Sequence, residues 1–229
     1  MLIIYRKLIL LLGLLTWLLH GVVQAQSSVP PPRLFGTEDE KIFHGGLSVG
    51  GNVSEVIGDA YHGFHKVGWR IGPGVIGKFS NSFGIDVELL YAQKGSRGVK
   101  QMYSSIGDYF ENYFLKLHYV EVPIQLLVFP TPRTHIGVGF SYARLIKSEE
   151  RVETMQPLYN FNQDDYPFLK DDWCGLASVH YQFWKGWFIG AAYSRSLRPI
   201  RKADTVPPHY GSGHQYNTYF SFTLRYLIP

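Results

Sequence analysis

Apolar and polar positions alternate with a period of two along most of the chain, as in strands that face two different environments. In the first segment Phe43, Leu47, Val49 and Val53 alternate with Ser48, Gly50 and Asn52. Val67, Trp69, Ile71 and Val75 alternate with Gly68, Arg70, Gly72 and Gly74 in the second. The third sets Phe83, Ile85, Val87, Leu89 and Tyr91 against Gly84, Asp86, Glu88 and Ala92. In the fourth, Val120, Val122, Ile124, Leu126 and Val128 stand against Glu121, Pro123 and Gln125, and Pro123 excludes a helix. Four more segments follow, around Ile136–Ala143, Trp173–Phe183, Trp187–Ser194 and Phe220–Tyr226.

The connections alternate in length. Ser80–Ser82, Pro130–Arg133 and Lys185–Gly186 are short, whereas Ser54–His65, Ser96–Asn112, Ser148–Lys170 and Pro199–Gly213 are long. An eight-stranded antiparallel up-and-down transmembrane β-barrel has this layout, with short periplasmic turns and long outer loops.

A soluble eight-stranded barrel would turn its apolar face inward. The glycines favour the opposite sense. Gly46, Gly50, Gly68, Gly72, Gly74, Gly84, Gly137, Gly139 and Gly190 lie on the polar face. In water they would weaken the strands, but in a narrow lumen they leave room for large residues across the way. Matching like faces across hairpins puts Gln125 opposite Gly139, Glu121 opposite Ala143 and His180 opposite Gly190. Phe79, Phe83, Tyr91, Phe129, Tyr142, Trp173, Phe183, Trp187, Tyr193 and Tyr226 mark the ends of the apolar faces, as two interfacial girdles would. The fourth segment has one irregularity. Tyr113, Leu115, Leu117 and Tyr119 alternate in opposite phase to Val120–Val128, so the strand is expected to leave the bilayer, or carry a bulge, near Tyr119.

Residues 1–25 read as a signal peptide: Arg6 and Lys7 precede an apolar run, and Val23-Gln24-Ala25 supplies a small-residue cleavage site. A Pro-rich periplasmic linker (26–41) and the barrel (42–228) follow, in the outer membrane after Sec-type export. Removing 1–25 leaves 20 basic and 18 acidic residues, a charge of +2, too small to suggest nucleic-acid binding. The one cysteine, Cys174, excludes an internal disulfide and reads as a lumen-side filler.

The order GGLSVGGNVSE, FGIDVELLYAQKGSR, FLKLHYVEVPIQLLVF, THIGVGFSYARLI and YNTYFSFTLRYLIP resembles the PorT-like outer-membrane β-barrel family over about residues 43–228. The resemblance implies fold and location. It also implies, through the name-giving member, an accessory role in outer-membrane protein secretion, although no motif here carries that role.

Arg70, Asp86, Glu88, Glu121, Gln125, His180, Gln182 and Arg225 are the expected lumen polar network. It reads as a plug of mutually satisfied charges rather than an ion path, because an eight-stranded lumen is just wide enough for side chains. Lys66, Lys94, Arg97, Lys116, Arg144, Lys147, Arg195, Arg198, Arg201 and Lys202 cluster at the outer ends. Among them Arg144, Arg195 and Arg198 are candidates for lipid phosphate contacts, with outer-membrane lipid and lipopolysaccharide as partners. His118, Ser104, Ser105 and Asp108 could serve a lipid-modifying enzyme, but no nucleophile motif accompanies them. Asp164, Asp165, Asp171 and Asp172, with Glu149, Glu150 and Glu153, lack a calcium-loop order and read as a solvated loop. Tyr159, Phe161, Tyr166 and Phe168 could bind a partner or a sugar, or pack the loop on the barrel rim. The expected function is therefore non-enzymatic, without cofactor or metal: a plugged scaffold or interaction protein, with secretion-machinery components as possible partners.

Overall fold

The computed structural model describes residues 42–102, 109–154, 166–206 and 213–228; the expected signal peptide and linker lie outside them. The strands are β1 (Phe43–Ile57), β2 (Lys66–Lys78), β3 (Phe83–Glu88), β4 (Leu90–Met102), β5 (Tyr109–Thr131), β6 (Thr134–Thr154), β7 (Asp171–Trp184), β8 (Trp187–Ser196) and β9 (Tyr216–Leu227). β3 and β4 are two halves of one stave. Every stave pairs antiparallel with its neighbours, and β1 pairs with β9, which closes an eight-stave up-and-down barrel. The expected registers are present: Gln125 faces Gly139, Glu121 faces Ala143 and His180 faces Gly190.

Around its middle the wall is apolar outside and polar inside. Leu126, Phe222 and Val138 are exposed, whereas Asp86, Glu121 and Arg225 are buried. This is the transmembrane sense, with lipid as the outer solvent. Phe79, Phe83, Trp173, Phe183, Trp187, Tyr193 and Tyr226 face outward at the belt margins. Phe129 does not. It faces inward and packs with Ile76, Leu127, Phe188 and Leu227 into an apolar cluster at the short-turn end of the lumen. Two residues past Leu127, it shares that residue's face.

The interruption between β3 and β4 has a covalent cause. Leu89 lies level with Pro73 on β2 and donates its N–H to the Pro73 carbonyl at 2.9 Å. Proline has no N–H to return, so the reciprocal bond is missing. On the other side the β3–β5 register brings Pro123 level with Glu88. Two adjacent residues of one stave thus face a proline, one on each side.

β5 and β6 run for 23 and 21 residues, about twice the 9–11 that cross a bilayer. Parts of two segments expected as loops are instead strand, residues 96–102 and 109–112 of Ser96–Asn112 and residues 148–154 of Ser148–Lys170, and β4, β5 and β6 project beyond the belt as one sheet. In this projection the faces exchange character. Tyr113, Leu115, Leu117 and Tyr119 point inward and are buried, in line with Glu121. They pack with Val56, Tyr61, Phe168 and Ile200 as an ordinary water-soluble core. Lys116 is exposed on the outer side. The apparent phase change near Tyr119 is therefore no break in β5, which pairs evenly with β4 throughout. Its alternation persists while the surrounding medium changes from lipid to water. The bulge expected there does occur, but on the partner: the β5–β6 register slips between His118 and Tyr119, and Ile146 is the extra residue. Beyond it the even positions of β6, outward from Ile136 to Arg144, turn inward at Ser148 and Glu150.

Candidate functional site

The lumen collects polar and charged side chains, and it is built in layers. Nearest the short turns, above the Phe129 cluster, the His135 and His180 rings stack at 4.7 Å with 15° between planes. A Cβ at Gly190 would overlap the His180 ring, so that glycine is what admits the imidazole. Gln182 lies buried on the same strand face.

Next comes Arg225. Its Nη1 donates to Asp86 Oδ2 at 2.8 Å, Nη2 pairs with Glu88, and Nε donates to Ser48 Oγ at 2.8 Å. Ser48 in turn donates to Glu88 Oε1 at 2.7 Å. Beside it Ser178 donates to Gln125 Oε1 at 2.6 Å, and Arg70 Nη1 donates to Ser221 Oγ at 2.8 Å. The third layer centres on Glu121, whose Oε1 accepts from Tyr219 at 2.6 Å and Ser141 at 2.8 Å. Its Oε2 lies 3.2 Å from Lys94 Nζ, which is itself 3.9 Å from Asp172. Asn217 Nδ2 donates to Asp172 Oδ2 at 2.9 Å and to Tyr119 Oη at 3.3 Å. The Lys94 ammonium stands over the rings of Tyr219 and Tyr119, at 4.5 and 5.0 Å from their centroids.

All eight residues expected in the lumen are buried there. Two charges expected elsewhere join them. Lys94, assigned to the outer rim, and Asp172, assigned to a loop, are wholly buried. Each has the parity of inward neighbours, Asp86 and Glu88 for the first and Cys174 for the second. That parity is the sequence signal for their place, since the staves continue past the end of the apolar face. A void lined by Arg70, Glu88, Glu121, Gln125 and Tyr219 among others is about 20 Å³, room for about one water.

A second buried pair lies in the projecting outer end. Arg201, also expected on the rim, is wholly buried and forks onto Glu150 at 3.1 and 2.7 Å. Its Nη2 also donates to the Tyr166 carbonyl, and the guanidinium lies 3.5 Å from the centroid of Phe168. Tyr113 Oη donates to Glu150 at 2.6 Å; burial raises that phenol well above its ordinary range. Tyr61 stacks on Tyr113 at 4.6 Å. Asp59, two residues earlier, accepts the Tyr61 N–H at 3.0 Å, and burial pushes its carboxyl up to about 6. Phe168 is thus a packing residue of the outer cap. Tyr159, Phe161, Asp164 and Asp165 lie outside the described residues.

On the outer rim, Arg144 is paired with Asp171 at 2.6 Å, a residue expected in a free loop that instead begins β7. The Tyr142 hydroxyl donates to the same carboxylate at 2.7 Å, and these hydrogen bonds hold Asp171 below the usual carboxylate range. Arg195 and Arg198 are exposed. His118 Nδ1 lies 2.5 Å from Tyr91 Oη, and burial lowers the imidazole. Ser104, Ser105 and Asp108 lie outside the described residues. No grouping of three or more His, Cys, Asp or Glu side chains suited to a metal occurs among the described residues.

No family model and no curated protein matches the chain. Among solved structures, it is similar to Ail, the attachment invasion locus protein of Yersinia pestis. The identity is 14%, covering 82% of this chain and 100% of that one, with a TM-score of 0.46. The outer membrane protein OprG of Pseudomonas aeruginosa matches at 11% identity over 81% of this chain and 94% of its own, TM-score 0.38. Neisserial surface protein A matches at 8% identity over 81% and 97%, TM-score 0.29. Likeness of this degree bears on no activity.

Proposed function

We propose that the chain is a non-enzymatic scaffold of the outer membrane, whose lumen carries no traffic and whose projecting sheet engages other envelope components. The observation that supports this is the lumen itself. Its charges are paired or hydrogen-bonded in layers, an apolar cluster lies at each end, and the void among the central charges is about 20 Å³. Buried charges held this way form a rigid plug. Reconstitution into planar bilayers tests it: the wild type gives no unitary current, and a large steady conductance overturns the plug.

The resemblance to the PorT-like family extends the proposal to an accessory of protein secretion. Crosslinking in intact outer membranes followed by mass spectrometry addresses it. Recovery of secretion-channel subunits supports the extension, and recovery of abundant neighbours alone counts against it. Lipid modification is the competing class. Turnover of outer-membrane lipid that His118→Ala abolishes would replace the scaffold reading.

A further inference from the structure

We propose that the outward face of β7, β8 and β9 holds one acyl chain of a phosphorylated membrane lipid, its phosphate seated on Arg195 and Arg198. The proposal rests on the reading of the barrel as a membrane protein. Two grooves, of about 340 and 530 Å³, run down this face and share Val179, Ala191 and Phe222. The cross-strand rows explain their shape. Tyr193 stands between Ala177 and Phe220; the next row down has Ala191 between Val179 and Phe222; the next has Ile189 between Tyr181 and Leu224. The wall therefore sinks where Ala177 and Ala191 come diagonally together. Larger side chains stand around the depression, and the tilted Tyr193–Phe220 pair, 5.0 Å apart, bounds its outer end.

What lies at that outer end selects the occupant. Arg195 is the next outward residue on β8 after Tyr193, level with Gly175 on β7. The exposed Leu197 side chain lies over Gly175, where a Cβ would meet it at 3.4 Å, so the guanidinium stands beside an apolar shoulder at the mouth of the groove. Arg198 follows, also exposed. Neither arginine makes an ion pair among the described residues, whereas Arg144 and Lys147 at the same rim are committed to Asp171 and Glu149 at 2.6 Å each. Guanidinium groups take phosphate as a fork, and at a membrane surface they do so in a medium less polar than water. A cationic mouth above an apolar slot matches a chain that ends in a phosphate, and it separates this face from the rim around Arg144.

The test uses the full chain, delipidated in detergent and titrated with phosphatidic acid, with the diacylglycerol of the same chains, and with inorganic phosphate. Native mass spectrometry counts the bound species. One phosphatidic acid binds saturably to the monomer, and diacylglycerol, which lacks the charge-assisted hydrogen bonds, and inorganic phosphate, which lacks the buried chain, each bind at least about tenfold more weakly. Arg195→Gln/Arg198→Gln and, separately, Ala191→Phe each weaken phosphatidic acid by about the same factor, whereas Arg144→Gln leaves it unchanged. Equal binding of diacylglycerol, equal binding of inorganic phosphate, an equal effect of Arg144→Gln, or a dimer that excludes lipid overturns the proposal. Failure of the membrane reading shows itself separately, as a chain that does not stay with vesicles after an alkaline wash.

Discussion

Tyr119 of β5 faces Leu145 of β6, where the register of the outer half would have given it Ile146. One extra residue thus changes which side of β6 meets water. Its removal should be nearly silent for the outer sheet. Deleting Ile146 joins the two registers into one even ladder and leaves Glu150 facing inward. Cysteines at Leu117 and Ser148, which face each other, should crosslink both in the full-length sequence and in the deletion variant. Loss of that crosslink on deletion would show that the bulge itself sets the outer register.

The Arg201–Glu150 pair is wholly buried. Glu150→Gln should cost roughly 3–5 kcal/mol, because it leaves a guanidinium buried without its anion. Replacing both partners, as Glu150→Leu/Arg201→Met, should recover most of the loss. Denaturant titration in detergent with a probe in the outer cap reads both.

In the lumen, Glu121→Leu should destabilise by a similar roughly 3–5 kcal/mol, since Lys94 loses its nearest carboxylate. Adding Lys94→Met should return part of it, with Asp172 still unpaired. Neither variant should conduct, because the apolar clusters at both ends remain.

Gly190→Ala forces a methyl group into the His180 ring. A cost of about 1–3 kcal/mol is expected, and His180→Ala should relieve it. Thermal unfolding of the two single variants and the double completes the cycle.

The outer cap should loosen as pH rises. Asp59 has its carboxyl raised from 3.8 to about 6 by burial, with Glu55 and His62 as charged neighbours of opposite effect. A raised carboxyl favours the folded state fully below its unfolded value, and the contribution is lost as pH climbs through the folded one. Between about pH 4 and pH 6 the 58–65 connection should therefore become easier to open, seen as faster hydrogen exchange after correction for intrinsic rates. Asp59→Asn should remove the dependence, and a wild-type profile flat across that window would contradict it.

Much of the fold was legible because period-two alternation records two environments, and within the belt lipid and lumen differ sharply. Glu121 and Gln125 could be placed from their neighbours alone. Lys94 and Asp172 lie beyond what the alternation marks, because the apolar outer face ends near Tyr91 and Trp173 while the staves continue. Past the bilayer, water replaces lipid outside and apolar side chains replace charges inside, so the written pattern inverts and resembles an ending. Arg201 and Glu150, 51 residues apart, meet through the closed geometry of the cap, and no local spacing announces it.

The prolines that flank Glu88 and Leu89 have a consequence for how the wall gives way. A closed barrel has no edge strand on which to hide a proline, and hydrocarbon offers no water to a carbonyl left without an amide. Pro73 and Pro123 therefore place a weak seam in mid-wall, along β3 and β4, rather than at either rim. Strain from bilayer thinning or lateral pressure should concentrate there, and the cylinder should flex into an oval about that line while the layered side chains inside hold its two halves together.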